Sequence, residues 1–140
     1  MSLGDHLRYL RAMKGGPSLD DVAEAIGWEK LGDISQAEKR YRPVYDNDLI
    51  EKLAGYYGRP ADEFHWHNAR PRKFLTFAAA QAMKTKEPLS LTLRSGEVLT
   101  GTIEWWDLGS LGLRLADGRL LCVQRHAVVD WPDAINWEDL

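Results

Sequence analysis

The sequence contains little that would connect it to an oxidising compartment or to a membrane. Among its 140 residues, Cys122 is the only cysteine, which excludes an internal disulfide, and free thiols are typical of reducing compartments. No apolar stretch approaches the roughly 20 residues that a membrane-spanning helix needs. Charges are scattered through the N-terminal segment MSLGDHLRYLRAMKGG, unlike a secretory signal peptide. We therefore expect a cytoplasmic protein.

The sequence also lacks an excess of positive charge. Its net charge is −3, from 18 Lys and Arg against 21 Asp and Glu. The balance is even along the chain, with 11 basic and 12 acidic residues in 1–72, and 7 and 9 in 73–140. Because tight non-specific nucleic-acid binders are usually strongly basic, any such contact must come from a local patch or from several copies acting together.

Residue patterns typical of enzymes and metal sites are missing as well. The sequence has no GxSxG, no phosphate-binding glycine loop and no Cys/His nucleophile pair. His65 and His67 are spaced i, i+2, which does not put both on one face of a helix. We therefore expect a non-enzymatic protein without metal or cofactor, in which Cys122 is a small core residue of a strand.

Up to about residue 66, apolar residues recur at helical spacing. Ser18 followed by Asp21 is the pattern of a capping box, and Gly27 suits the left-handed residue that ends a helix. A later helix begins at Asp46 or Asn47. The spacing predicts four helices and a short last turn, with the apolar stripes Leu3, Leu7, Leu10 and Met13; Leu19, Val22, Ala23 and Ile26; Ile34, Ala37 and Tyr41; and Leu49, Ile50, Leu53, Ala54 and Tyr57.

From Pro88 the apolar period changes to two, which is typical of strands. Turns at Ser95-Gly96 and Asp117-Gly118 separate five short strands, with Leu99, Gly101, Ile103 and Trp105 expected on one face of the second. A small closed barrel is the economical arrangement for five such strands. The sequence thus divides into a helical domain (1–66), a polar linker (67–73), a β-domain that begins with one more helix (74–132) and an acidic tail (133–140).

Residues 3–66 resemble the Cro/repressor (XRE-type) helix-turn-helix family. The matching segments are SLDDVAEAIG, then Ile34-Ser35 with Glu38 and Pro43, and then LIEKLAGYYGRPADEF. In that family a helix enters the DNA major groove, and the resemblance implies that residues 29–39 form this recognition helix. DNA would then be contacted by Lys30, Ser35, Gln36 and Lys39, with Arg40 and Arg42 on phosphates. The alternative is a helical bundle that uses the same fold for protein contacts.

Residues 74–132 resemble the bacterial Sm-like RNA chaperone Hfq and, more broadly, Sm proteins. The most specific matches are Ser95-Gly96-Glu97, Gly101, Asp107 and the run Arg125-His126-Ala127-Val128. The two resemblances together imply an α+β protein: an all-α helix-turn-helix bundle followed by a small five-stranded Sm-like (SH3-type) β-barrel with an N-terminal helix. Sm-like domains pair their last strands with a neighbouring subunit, so a homo-oligomer is expected.

The Hfq resemblance also implies a candidate RNA site. Hfq binds uridine-rich RNA through a Tyr-Lys-His cluster and a stacking aromatic. The cluster positions here are Gln124, Arg125 and His126, and Leu108-Gly109-Ser110 stands where the aromatic is expected. The nearby aromatics are Trp105 and Trp106, of which one must point inward because neighbours on a strand face opposite ways. The predicted RNA-binding residues are therefore Trp106, Gln124, Arg125 and His126.

Three functions fit these patterns. The first is a DNA-binding transcription regulator whose Sm-like barrel assembles several copies. The second is an RNA-binding, post-transcriptional regulator that acts through the Hfq-like domain. The third is an assembly or interaction protein that contacts no nucleic acid.

Overall fold

The computed structural model of the protein describes residues 1–39 and 43–132. Arg40, Tyr41, Arg42 and the acidic tail 133–140 lie outside the described residues, and so do the DNA contacts predicted for the two arginines. Six helices precede five strands. They are α1 (Leu3–Met13), α2 (Leu19–Ile26), α3 (Leu31–Lys39), α4 (Asn47–Tyr57), α5 (Ala61–Asn68), α6 (Arg72–Thr85), β1 (Leu89–Leu93), β2 (Val98–Trp106), β3 (Ser110–Leu115), β4 (Leu120–Gln124) and β5 (Val128–Asp130).

The chain forms two compact units, a helical unit of residues 2–71 and a sheet unit that begins at Arg72 and includes Met1. The segment predicted as a linker, 67–73, is mostly helical, because α5 continues to Asn68 and α6 starts at Arg72. His67 explains the longer α5: its side chain is buried, and its ring stacks on that of His6 with centroids 4.0 Å apart. No helix among the described residues combines the length and the apolar character needed to cross a membrane.

Short-range signals set the helix ends of the helical unit. Ser18 accepts a hydrogen bond from the Asp21 backbone while the Asp21 carboxylate accepts one from the Ser18 backbone, as a capping box requires. Gly27 ends α2 in the left-handed region at φ 67°, and Asp46 caps α4. The core that these helices enclose contains Leu3, Leu7, Val22, Ile34, Leu49, Ile50, Leu53 and Phe64.

One partly buried ion pair connects two helices of this unit. Arg11 of α1 donates two hydrogen bonds to the carboxylate of Glu38 in α3, at 2.8 and 3.0 Å. The Glu38 side chain is only 6% exposed, and a bidentate charge-assisted pair of this kind fixes geometry as well as adding energy. Glu38 is therefore part of the internal structure of the bundle.

The five strands form an antiparallel sheet in the order β4-β3-β2-β1-β5. The predicted closed barrel is wrong, because β4 and β5 stand at opposite ends of the sheet and are not neighbours. The short β5 pairs with β1 at only two positions, across an irregularity between Thr92 and Leu93. The sheet therefore has two edge strands.

Helix α6 covers one face of the sheet, which we call the inner face. Its buried residues Phe74, Leu75, Ala79 and Ala82 share one core with Leu91, Ile103, Leu111, Leu113, Val123, Val128 and Trp131. Gly101 of β2 has no room for a side chain, because a Cβ there would overlap the backbone carbonyl oxygen of Arg114 in β3. The opposite side of the sheet, the outer face, carries the more exposed side chains of the same strands.

We predict that part of the stability of the helical unit depends on Glu63. Hydrogen bonds from Arg59, and to a lesser extent the nearby charge of His6, lower the pKa of Glu63 to about 2 from its usual 4.5, although burial opposes the shift. A depressed carboxyl pKa stabilises the fold above the unfolded-state pKa, and this contribution is lost as pH falls through the folded pKa. Stability should therefore decrease between about pH 5 and about pH 2, and less so in Glu63→Gln.

Urea unfolding followed by circular dichroism over this pH range would measure the effect, with the exposed Glu51→Gln as the matched control. An identical pH profile for wild type and Glu63→Gln would contradict the prediction.

Candidate nucleic-acid interface

The segment predicted to bind RNA follows β4 and forms a short 3₁₀ turn, Arg125–Ala127, before β5. Arg125 in this turn is only 2% exposed. Its guanidinium donates to the backbone oxygens of Asp107 at 2.7 Å and Arg72 at 3.1 Å, and to Thr76 Oγ1 at 2.5 Å. Its own backbone N–H donates to the Gly109 oxygen at 2.9 Å. Arg125 thus joins the start of α6 to the β2–β3 loop, and its side chain is inside rather than at the surface expected for an RNA contact.

The two neighbours of Arg125 are at the surface. The side chains of Gln124 and His126 are exposed, and Gln124 lies opposite Ser110 in the β3–β4 ladder. The His126 backbone oxygen accepts a hydrogen bond from Arg94 at 2.8 Å, which leaves its imidazole out of this contact. Two of the three predicted cluster residues therefore present polar side chains to solvent, held in place by the buried third.

The β2–β3 loop beside this cluster is built on Asp107. One carboxylate oxygen of Asp107 accepts hydrogen bonds from the backbone N–H groups of Gly109 and Ser110, both at 2.7 Å, the local bonding that favours Asp in tight turns. Leu108 at the tip of the loop is 67% exposed. The loop therefore presents an aliphatic side chain where the Hfq resemblance leads one to expect an aromatic ring.

A β-bulge reverses the predicted orientation of the two tryptophans. Ile103 pairs with Leu113 and Trp105 pairs with Gly112, so Glu104 is an extra residue in β2. Trp105 therefore moves to the outer face, 37% exposed, and Trp106 turns inward and packs against the core of the sheet unit. The prediction that Trp106 is the aromatic residue exposed for RNA contact is therefore wrong, and the exposed ring is that of Trp105.

Cys122 is also on the outer face, exposed, so its prediction as a core residue is wrong. In β4 the inward residue is Val123, which is buried with the core of the sheet unit, and strict alternation then turns Cys122 outward. The sequence does contain a signal for this outer face, which is Gly112, the residue that pairs with Cys122 in the middle of β3. A glycine inside a strand often marks a close approach by another group.

In the helical unit, the residues predicted to face DNA lie around α3. Lys30 precedes the helix and is exposed, as are Gln36 and Lys39, while Ser35 is half-buried. At about 100° per residue, Ser35, Gln36 and Lys39 share one side of α3. Ile34 and Ala37, on its other side, enter the core. This arrangement gives α3 a small polar face with one described cation, and DNA contact by it stays a prediction.

Comparison with known proteins points to the sheet unit. Residues 80–130 match the family model described as "Hfq related", a stretch that holds all five strands and the Gln124–His126 segment. The chain is also similar to a 1.55 Å crystal structure of the pleiotropic translational regulator Hfq. The alignment covers 41% of this chain and 93% of the Hfq chain, with 18% sequence identity and a TM-score of 0.38. No curated protein matches the chain. Residues 80–130 are thus similar to the Hfq-related family, and the helix-turn-helix resemblance of residues 3–66 gains no support from the family match.

We predict that Arg125 determines the stability of the sheet unit. Methionine at this position would fill similar space but remove the donor of three hydrogen bonds, to two backbone oxygens and a hydroxyl, and each such bond contributes about 1 kcal/mol net. Arg125→Met should lower the free energy of unfolding by about 3 kcal/mol, measured by urea denaturation with near-UV circular dichroism. The adjacent exposed His126→Ala is the control and should change stability by less than about 0.5 kcal/mol. Equal effects of the two substitutions would contradict this role.

Proposed function

We propose that this protein is an RNA-binding regulator without enzymatic activity, which works as a homo-oligomer through its Hfq-like domain. The observation that carries the proposal is the family match over residues 80–130. The matched stretch spans the whole sheet. It also includes Gln124 and His126, the two exposed residues of the three-residue cluster that the Hfq resemblance predicts to bind RNA. Proteins of that family, which the sequence resembles, bind uridine-rich RNA and form oligomers.

The edge strand β4 supports assembly. The Arg125 N–H donates to Gly109, and the Leu115 N–H to the Arg119 oxygen, so odd-numbered residues at this edge bond to β3. In an antiparallel ladder the alternate residues point the other way. The backbone groups of Leu120, Cys122 and Gln124 therefore point away from the sheet, and an exposed row of this kind is a template for pairing with another chain.

The second edge, β5, would supply the complementary strand in a neighbouring copy. Head-to-tail pairing of β4 with β5 makes a heterologous interface, which generates a closed ring when the rotation between copies closes. The ammonium group of Met1 donates to the Val129 oxygen of β5 at 2.6 Å. Assembly should therefore be measured on protein that begins at Met1 without an added tag, because a tag there would alter this edge.

We predict that Cys122→Pro abolishes assembly without unfolding the sheet. Proline removes the outward N–H of residue 122 and spares every bond to β3, and edge strands tolerate proline on their solvent side. Light scattering coupled to size exclusion should give a multiple of the 15.9 kDa protomer for wild type and a single protomer for Cys122→Pro. The control, Cys122→Ala, keeps the N–H and should assemble like wild type. A wild-type mass of one protomer would refute assembly through this edge.

Assembly also compensates for the negative net charge, which disfavours contact with the phosphates of RNA. In a single copy 21 Asp and Glu outnumber 18 Lys and Arg, but joining several sites raises the effective concentration at each further contact. The overall affinity can then exceed that of one site by about 10²–10⁴ when the geometry permits simultaneous binding. The proposal therefore needs the ring as much as it needs the polar cluster.

We predict that the wild-type protein binds short single-stranded RNA and that this binding depends on the exposed cluster. Fluorescence anisotropy with labelled oligo(U) and oligo(A) should give a dissociation constant that rises with salt. The constant should rise further in the double variant Gln124→Ala/His126→Ala, because the lost hydrogen bonds are worth about 0.5–1.5 kcal/mol each. Gln81→Ala, an exposed glutamine on α6, is the matched control. Absence of RNA binding at micromolar protein would end the proposal.

DNA binding through α3 is the second candidate, favoured by the shared face of Ser35, Gln36 and Lys39. The same titration with duplex DNA tests it, using Lys39→Ala against the exposed Lys84→Ala on α6. Tighter binding to duplex than to RNA, weakened only by Lys39→Ala, would replace the RNA proposal with a transcription regulator. No binding to either nucleic acid would leave an assembly protein.

A further inference from the structure

We propose that Trp105 is a stacking platform for one base of single-stranded RNA on the outer face of the sheet, with Gln124 placed to hydrogen-bond the edge of that base. This inference rests on the proposed RNA-binding function and adds a site to it. The site uses an aromatic residue that lies outside the Gln124–His126 segment and on the opposite side of the sheet from α6.

The bulge and a glycine together create the platform. Because Glu104 is the extra residue of the bulge, Trp105 lies opposite Gly112 on the outer face. A Cβ at position 112 would overlap Nε1, Cδ1 and Cε2 of the Trp105 ring at nearly equal separations. Near-equal separations from adjacent ring atoms put that point above the plane of the ring rather than beyond its edge. One face of the indole therefore covers the Gly112 backbone, and the other face is directed away from the sheet.

The side chains next to the platform are small or polar. Gly112 pairs with Cys122, and Ser110, two residues before Gly112 on the same face, pairs with Gln124. Strands are about 4.8 Å apart and alternate residues about 6.7 Å apart, which separates the backbone positions of Gly112 and Gln124 by about 8 Å. Cys122 and Gln124 are exposed. A base stacked on the indole would thus have an amide nearby that can both donate and accept a hydrogen bond.

The charges closest to the platform in the ladder neutralise each other. Arg114 donates to both carboxylate oxygens of Glu104 at 2.7 and 3.0 Å, and to the Gly118 backbone oxygen at 2.9 Å. A site of this kind recognises the flat face and the edge of a base, not the phosphate. Stacking tolerates any base because every base has a π-face, so we expect binding here to be broad in sequence preference.

Variants of Trp105 test the platform. Labelled oligo(U) and oligo(A) are titrated with full-length protein at low and at high salt. Trp105→Leu should weaken binding by about 5-fold to about 150-fold and by the same factor at both salt concentrations, since stacking releases no counterions. Trp105→Phe, which keeps a ring, should retain most of the affinity. Trp66→Leu is the matched control, because Trp66 in the helical unit is 36% exposed, close to the 37% of Trp105.

A second variant moves the ring without removing it. Gly112→Ala places a Cβ where the indole now lies, so the ring must leave its seat, and we expect weaker RNA binding although all six tryptophans remain. Circular dichroism and light scattering on each variant separate loss of the site from loss of the fold or of the oligomer. Trp105→Phe and Gln124→Ala remain as tests if Gly112→Ala or Trp105→Leu does not fold.

Each outcome decides for or against the platform. If folded Trp105→Leu binds RNA as tightly as wild type, the Trp105–Gly112 contact has only a structural role, in which the ring covers a glycine. That result would overturn the platform but not the proposed function. A change of particle mass with unchanged RNA affinity per site would assign this face to a second copy and overturn the platform. No RNA binding by wild type would overturn both. A salt-independent loss in Trp105→Leu, rescued by Phe and absent in Trp66→Leu, supports the platform.

Discussion

The buried guanidinium of Arg125 is the contact on which the architecture of the sheet unit depends. It reaches the first turn of α6 and the β2–β3 loop at once, through Arg72, Thr76 and Asp107. A planar group with several donors in fixed directions suits this task, whereas a lysine ammonium is a compact point charge and could not serve three acceptors spread over two elements. The Arg125 turn therefore sets where Gln124 and His126 emerge, although Arg125 itself does not face solvent.

The inner and outer faces of the sheet have different roles, because of the Arg125 contact and the bulge at Glu104. The inner face is closed by α6 and holds the apolar core. The outer face carries Trp105, Cys122 and Gln124 and is not covered by α6. A sheet that is covered on one side and open at two edges can assemble and still present a recognition surface, which is the combination that the proposed RNA regulator requires.

Local signals made much of the fold predictable from sequence. The Ser18–Asp21 box, the glycine at the end of α2 and the cap at Asp46 each involve residues a few positions apart, and all were found where expected. The alternation of strand residues likewise located the five strands. The resemblance to Hfq over residues 74–132 was also predictable from sequence, because the turn glycine and the Arg125-His126 run lie in one continuous segment, and the family match covers residues 80–130 of it.

The remaining features depend on partners far away in sequence. Nothing near Arg125 indicates burial, since its acceptors stand 18, 49 and 53 residues away. The bulge is one extra residue with no composition of its own, and it exchanged the orientations of Trp105 and Trp106. Barrel closure failed as an expectation because it depends on whether β4 reaches β5, which strand count alone does not determine.

The indole resting on Gly112 also limits how this pair of positions can vary among related chains. Any side chain at 112 would collide with the ring, so a larger residue there requires a smaller one at 105. Relatives that keep an aromatic at 105 should keep glycine at 112, and those with a larger residue at 112 should have a smaller one at 105. Correlated substitution at positions 105 and 112 would be the evolutionary sign that the indole packs on this glycine.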